Sequence, residues 1–206
     1  MTLLGLFNPL SLMDTSVSLM VYNSLDKYLN KYMPRNIANN YTAFFHAIGS
    51  VYFGASYFIN PNERVYYFMT KFSTGYFLYD TLHILKYKKL NFLNICYIYH
   101  HLSTVNYLRN TKMIYRAPEV LFWAELSNIP SYLVYNMMKQ TKNEKQIKML
   151  KKLQFYVYSF IRVPLITKIL YETLNSDKIE NKTSLYMILP IYVMGLVWTK
   201  KLWNGL

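Results

Sequence analysis

The chain is 206 residues long, 53% hydrophobic and only 16% charged, with a formal net charge of +13. That length is short for two domains and ample for one membrane helix bundle. The positive charge invites a nucleic-acid partner, but its distribution argues against one: Lys and Arg cluster between apolar segments, the pattern of cytoplasmic loops and anionic-lipid contacts, and do not line one basic face.

The N-terminus lacks the positive stretch of a cleaved signal, and Asp14 interrupts its apolar run. Residues 1–34 are therefore expected to form an amphipathic, interfacial segment. Residues 35–204 follow as one transmembrane domain. Its first predicted span is Ile37 to Ile59, inside a stretch without Asp, Glu, Lys or Arg from Asn36 to Asn62. The second, Val65 to Leu85, carries Lys71 and Asp80. The third, Leu90 to Leu108, has 19 residues without one of those charged types and holds His100 and His101 near its middle. The fourth, Glu119 to Met138, is entered through Ala117-Pro118, a first-turn proline. The fifth, Leu153 to Tyr171, contains Arg162 and Lys168. The sixth runs from Thr183 to Thr199. Each is near the ~20 residues that a bilayer's hydrocarbon core demands of a helix. The expected fold is therefore all-α, a multi-pass bundle of about six membrane helices around a central polar cavity. Cys96 is the single cysteine. It excludes an intrachain disulfide and any Cys-x-x-Cys zinc pattern, and no metal is expected. Pro130, Pro164 and Pro190 fall inside the last three spans, where each removes one backbone hydrogen bond.

The loops set an orientation. Lys27, Lys31 and Arg35, then Lys86, Lys88 and Lys89, then the run Lys139 to Lys152, then Lys200 and Lys201 fall on one side. That richer side should be cytoplasmic, with both termini. The run from Lys139 to Lys152 is expected to be a solvated loop. Asn181-Lys182-Thr183 is a glycosylation sequon on the other, lumenal side. Asn40-Tyr41-Thr42 is a second, expected to stay unmodified at the cytoplasmic mouth.

Ionisable residues at membrane depth are costly and survive where they face a protein-lined cavity. With a rise of about 1.5 Å per residue, His101, Glu125 and Arg162 lie about 10, 9 and 14 Å from the lumenal ends of their spans. Asp80 lies about 22 Å from that end and is expected not to partner the histidines directly. Spacing of three and four residues groups Tyr97, His100, His101 and Thr104 on one helix face. The same spacing groups Tyr76, Asp80 and His83; Glu125 and Asn128; and Gln154, Tyr158 and Arg162. Four successive spans thus contribute polar rows to one cavity. His100, His101 and Glu125 are the candidate catalytic residues, because imidazole beside a carboxylate can act as a general base near neutral pH. Tyr76, Asp80, Tyr97, Thr104, Asn128, Tyr158 and Arg162 are the candidate lipid-binding lining. Arg162 suits either a structural pair with Glu125 or a phosphate or carboxylate headgroup. His46 and His83 read as helix-packing residues.

Three motifs carry a family resemblance. Phe72-Ser73-Thr74-Gly75-Tyr76-Phe77-Leu78-Tyr79-Asp80, then His100-His101-Leu102-Ser103-Thr104, then Glu125-Leu126-Ser127-Asn128-Ile129-Pro130 resemble the TLC-domain family over roughly residues 35–204. Relatives in that family include ceramide synthases and translocating-chain-associated membrane proteins. The resemblance implies a helical bundle around a cavity and a role in lipid synthesis, transport or sensing, in the endoplasmic reticulum or a related membrane. In ceramide synthases the paired histidines are implicated in acyl transfer from acyl-CoA, and His100, His101 and Thr104 match the start of that signature. Where those enzymes carry His-Asp-x-x-Asp, this chain has Trp123-Ala124-Glu125-Leu126-Ser127, closer to the non-synthase group. The expected function is a membrane protein that handles lipid and influences membrane lipid composition, with membrane lipids as partners and no bound cofactor. The alternative is an acyl-CoA-dependent N-acyltransferase with acyl-CoA as co-substrate. A translocon-associated role is a third reading, disfavoured by the short C-terminal tail.

Overall fold

Apolar runs of this length, punctuated by Asn and Pro, fold as helices whose ends are set by local chemistry. The computed structural model describes residues 9–109, 117–140, 143–175 and 179–206, and among them every regular element is an α-helix. In chain order these are α1 (Pro9–Leu29), α2 (Arg35–Ile59), α3 (Glu63–Tyr87), α4 (Phe92–Arg109), α5 (Ala117–Gln140), α6 (Glu144–Leu174) and α7 (Ile179–Trp203). Lys142 of the lysine run lies outside the described residues, as do the side chains of Asn181, Lys182 and Thr183 of the lumenal sequon.

Side-chain caps explain several starts. The Asn62 side chain accepts the Arg64 amide at 2.7 Å to open α3. Asn91 accepts from the Asn94 amide at 2.9 Å and opens α4. Asn143 accepts from the Gln146 amide at 3.1 Å and opens α6. In each case the side-chain oxygen satisfies an otherwise orphaned first-turn N–H. The α6 cap corrects the expectation of a loop up to Lys152. Lys145, Lys148, Lys151 and Lys152 lie in the first turns of a 31-residue helix. Lys, Gln and Met are good helix formers, and the Asn143 cap starts the helix ahead of the apolar span. Helices α5 and α6 run through Pro130 and Pro164 without a break.

Six helices close a ring. Around it the order is α2, α3, α4, α7, α6, α5 and back to α2, each packed on its two neighbours. Helix α1 stands against α2 and α3 on the outside of the ring. It nonetheless contributes to the core. Tyr22 is fully buried, ringed by Phe45, His46, Phe72, Tyr76 and Tyr79. Burial raises its hydroxyl far above the ordinary tyrosine range, and the nearby Glu125 carboxylate adds to the effect, so the phenol stays neutral. The Ser18 hydroxyl donates to the Phe72 carbonyl at 3.1 Å, and the Tyr67 hydroxyl donates to Asp14. Helix α1 comes so close to α3 that the Leu19 amide nitrogen lies 2.9 Å from where a Cβ on Gly75 would stand. Only glycine permits that approach.

Polar stitches hold α2 to α5. The Asn40 amide donates to Asn136 Oδ1 at 2.7 Å and to the Tyr132 carbonyl at 3.1 Å, and Asn36 donates to the Tyr135 hydroxyl at 3.0 Å. The Asn40 sequon side chain is thus engaged between helices. Among the described residues no helix is long and apolar enough to cross a membrane.

Candidate functional site

The ring encloses a cavity of about 1010 Å³. All six ring helices line it, and none of the described residues of α1 does. Nine of the ten candidate residues stand on its wall: Tyr76 and Asp80 from α3, Tyr97, His100 and His101 from α4, Glu125 and Asn128 from α5, and Tyr158 and Arg162 from α6. Thr104, the tenth, lines a smaller chamber of about 80 Å³ next to it. There its hydroxyl donates to the His100 carbonyl at 2.9 Å, one turn back on its own helix. Phe77, His100, Glu125 and Arg162 border both spaces. The small chamber is otherwise walled mainly by Leu108, Val120, Leu121, Leu165, Ile166 and Ile169. At the opposite end the large cavity reaches Arg35, Lys88, Lys151 and Lys201, all on the lysine-rich side. The space therefore grades from basic, through polar and ionisable, to apolar.

Two histidine–carboxylate pairs sit in the middle zone. His101 Nε2 lies 3.6 Å from Asp80 Oδ2, with both side chains largely buried. This corrects the expectation that Asp80 is too far toward the cytoplasm to partner the histidines. Helix α3 has 25 residues and α4 has 18, so depths counted from their far ends do not align. Counted from the short turn that joins them, Asp80 is about 10 Å deep and His101 about 14 Å. The two side chains readily span that difference.

The second pair is His46 with Glu125. His46 Nδ1 lies 3.9 Å from Glu125 Oε2, and the imidazole is completely buried. Its ring stacks on Tyr76 with centroids 3.9 Å apart and planes 8° from parallel. This corrects the packing-only reading of His46. A signal is present in the sequence: Asn39, Thr42, His46 and Ser50 repeat at helical spacing on α2, another polar row. The sequence does not single out Ser131 and Tyr132 of α5, or Gly195 of α7, which also line the wall.

Arg162 is held by two polar groups. Its Nη1 donates to the Tyr158 hydroxyl at 3.1 Å and to Asn128 Oδ1 at 3.4 Å. The Asn128 amide donates to Glu125 Oε2 at 3.2 Å. Asn128 thus relays Arg162 to Glu125. Other buried atoms have no hydrogen-bond partner among the described residues, including Nδ1 of His100, Nδ1 of His101 and Nε of Arg162. Unpaired buried donors and acceptors cost free energy, and their convergence on one cavity is the pattern of a binding site. Among the described residues no three His, Cys, Asp or Glu side chains converge as a metal-ion site.

Comparison with protein-family models, with curated proteins and with solved structures gives no match for this chain.

Proposed function

We propose that this chain is a multi-pass membrane protein of TLC type whose helical ring receives a membrane lipid and influences membrane lipid composition. The observation that carries the reading is a set of buried polar and ionisable residues, set among an aromatic and aliphatic core, beneath faces that expose large apolar side chains. Fully or nearly buried positions include Thr42, His46, Ser50, Ser73, Asp80, His101, Glu125 and Ser127. The outward faces carry Ile48, Tyr52, Phe92, Ile95, Leu102, Phe160 and Val197, with Phe92 82% and Phe160 74% exposed. A water-facing bundle hides its apolar side chains. Exposed apolar bands over buried ionisable groups suit lipid as the surrounding solvent. The inward polar rows also lower the average hydropathy of each helix without changing its outer face. The resemblance of the three motifs supports the same reading, and the loop charges support an endomembrane topology with both termini cytoplasmic.

In this reading the lipid's polar head lies among the ionisable groups and basic mouth, and apolar chain enters the space beside Leu121 and Ile166. The His101–Asp80 pair favours a second reading, N-acyl transfer from acyl-CoA. There the amine nitrogen bonds to the thioester carbon and the carbon–sulfur bond breaks. The histidine takes the amine proton and delivers it to the leaving thiolate, with Asp80 steadying the imidazolium.

The test is to purify the protein in detergent and identify retained lipids by mass spectrometry. Acyl-CoA consumption is then measured for wild type and His101→Ala. Enrichment of one lipid class without turnover is the expected result. Turnover by wild type that is lost in His101→Ala protein shown to be folded would favour the transferase instead. No enriched lipid and no turnover would remove both readings.

A further inference from the structure

We infer that His46 is a positioning residue of this site, holding the Glu125 carboxylate from the α2 side and fixing the direction in which it meets the cavity. The inference rests on the local geometry, and only its consequence for ligand retention depends on the lipid-handling reading. Glu125 Oε2 already accepts the Asn128 amide at 3.2 Å from its own helix. From α2 the same oxygen is approached by His46 Nδ1 at 3.9 Å, which makes no hydrogen bond among the described residues. That distance closes to a hydrogen bond with a small rotation of the glutamate.

The imidazole is in turn fixed by its surroundings. The other ring nitrogen, Nε2, is 3.0 Å from Ser50 Oγ, and Ser50 Oγ is 3.2 Å from Ser73 Oγ on α3. The ring face lies against Tyr76, and Phe72 and Phe77 pack around it. The ionisable groups near it from the other helices are Tyr22 on α1, Tyr76 on α3, His101 on α4 and Glu125 on α5. The imidazole therefore cannot swing to another acid without dismantling the aromatic stack.

A polar chain follows, hydrogen-bonded at every step but the 3.9 Å one from His46 to Glu125: Ser73, Ser50, His46, Glu125, Asn128, Arg162, Tyr158. It crosses α3, α2, α5 and α6, and His46 joins its serine end to its charged end. A group that merely filled space would not require a free ring nitrogen aimed at the site's buried glutamate. Outer partners of this kind set the orientation of a site's working groups.

The experiment uses the full chain in detergent micelles. His46→Phe keeps a ring against Tyr76 and removes both nitrogens, whereas His46→Gln keeps one amide that can face Glu125. Infrared difference spectra give the Glu125 carboxyl band, assigned by its loss in Glu125→Gln. Nitrogen NMR of labelled imidazoles gives the His46 signals, assigned by their loss in His46→Phe. The expected result is that the Glu125 band moves in His46→Phe and returns part of the way in His46→Gln. The His46 signals move in Glu125→Gln. Retention of co-purifying lipid falls roughly tenfold in His46→Phe, the size of losing one charge-assisted contact. A Glu125 band unmoved by His46→Phe, or His46 signals unmoved by Glu125→Gln, would overturn the inference. Because both spectra need no ligand, they decide the role of His46 even if wild type retains no lipid.

Discussion

Asp80 and His101 are the residues where burial and charge interact most directly. Each reaches the cavity from a different helix, and they meet at 3.6 Å. Removing one member of a buried pair strands the other in a poorly solvated space. Asp80→Ala and His101→Ala should therefore each destabilise the fold. Their double variant should lose less than the sum, with a coupling of about 1–3 kcal/mol. Equilibrium unfolding with a denaturing detergent measures the cycle, and strict additivity would mean that the two side chains do not interact. At this scale the sequence is informative about identity and less so about pairing. Ionisable residues inside long apolar runs are rare, so His100, His101, Glu125 and Arg162 stand out, and all of them line the cavity. Partnership depends on side-chain reach and on the true helix ends. A depth counted from the far end of its span sets Asp80 apart, and one histidine on an apolar span, as His46 is, has an ordinary packing explanation.

Among the elements, the contact of α1 with α3 makes the sharpest demand on sequence. A glycine inside a helix is ordinarily worse than alanine by about 1 kcal/mol. At Gly75 that sign should reverse, since a methyl group there would meet the Ser18 side chain and the Leu19 amide. Gly75→Ala is expected to cost about 1–3 kcal/mol, the range for overpacking. Gly195 on α7 is the contrasting case: among the described residues no atom comes within 4 Å of where its Cβ would stand. Gly195→Ala should gain up to about 1 kcal/mol. Thermal unfolding of the two variants in one detergent checks the opposite signs. Helix existence is readable from apolar run length, and the predicted spans fall on α2 to α7. Helix ends are less so, because caps such as Asn143 extend a helix past its apolar part. The integration of α1 is not readable, since nothing local marks Tyr22 as the hub of an aromatic cluster contributed by distant segments.

For the whole molecule, the large apolar side chains exposed on the outer faces predict how the surface responds to charge. Phe160 projects from α6 and is mostly exposed. A charge near the middle of a membrane helix costs about 2.5–3.5 kcal/mol on insertion scales. Under the proposed membrane reading, Phe160→Asp should release part of the protein from membranes into alkaline extract, whereas the same change on a water-facing helix would improve solubility. Better solubility without detergent would count against the membrane reading. Closure of the ring has its own consequence. Its neighbours are not consecutive: α4 meets α7, with Tyr97 and Trp198 in edge contact at 5.9 Å, and α2 meets α5. A growing chain therefore has no complete chamber until its seventh helix arrives and seals the seam beside the paired histidines. Until that moment the imidazoles of α4 lack their final shelter. The last helix is therefore the keystone of the ring, the element whose docking completes the wall around them.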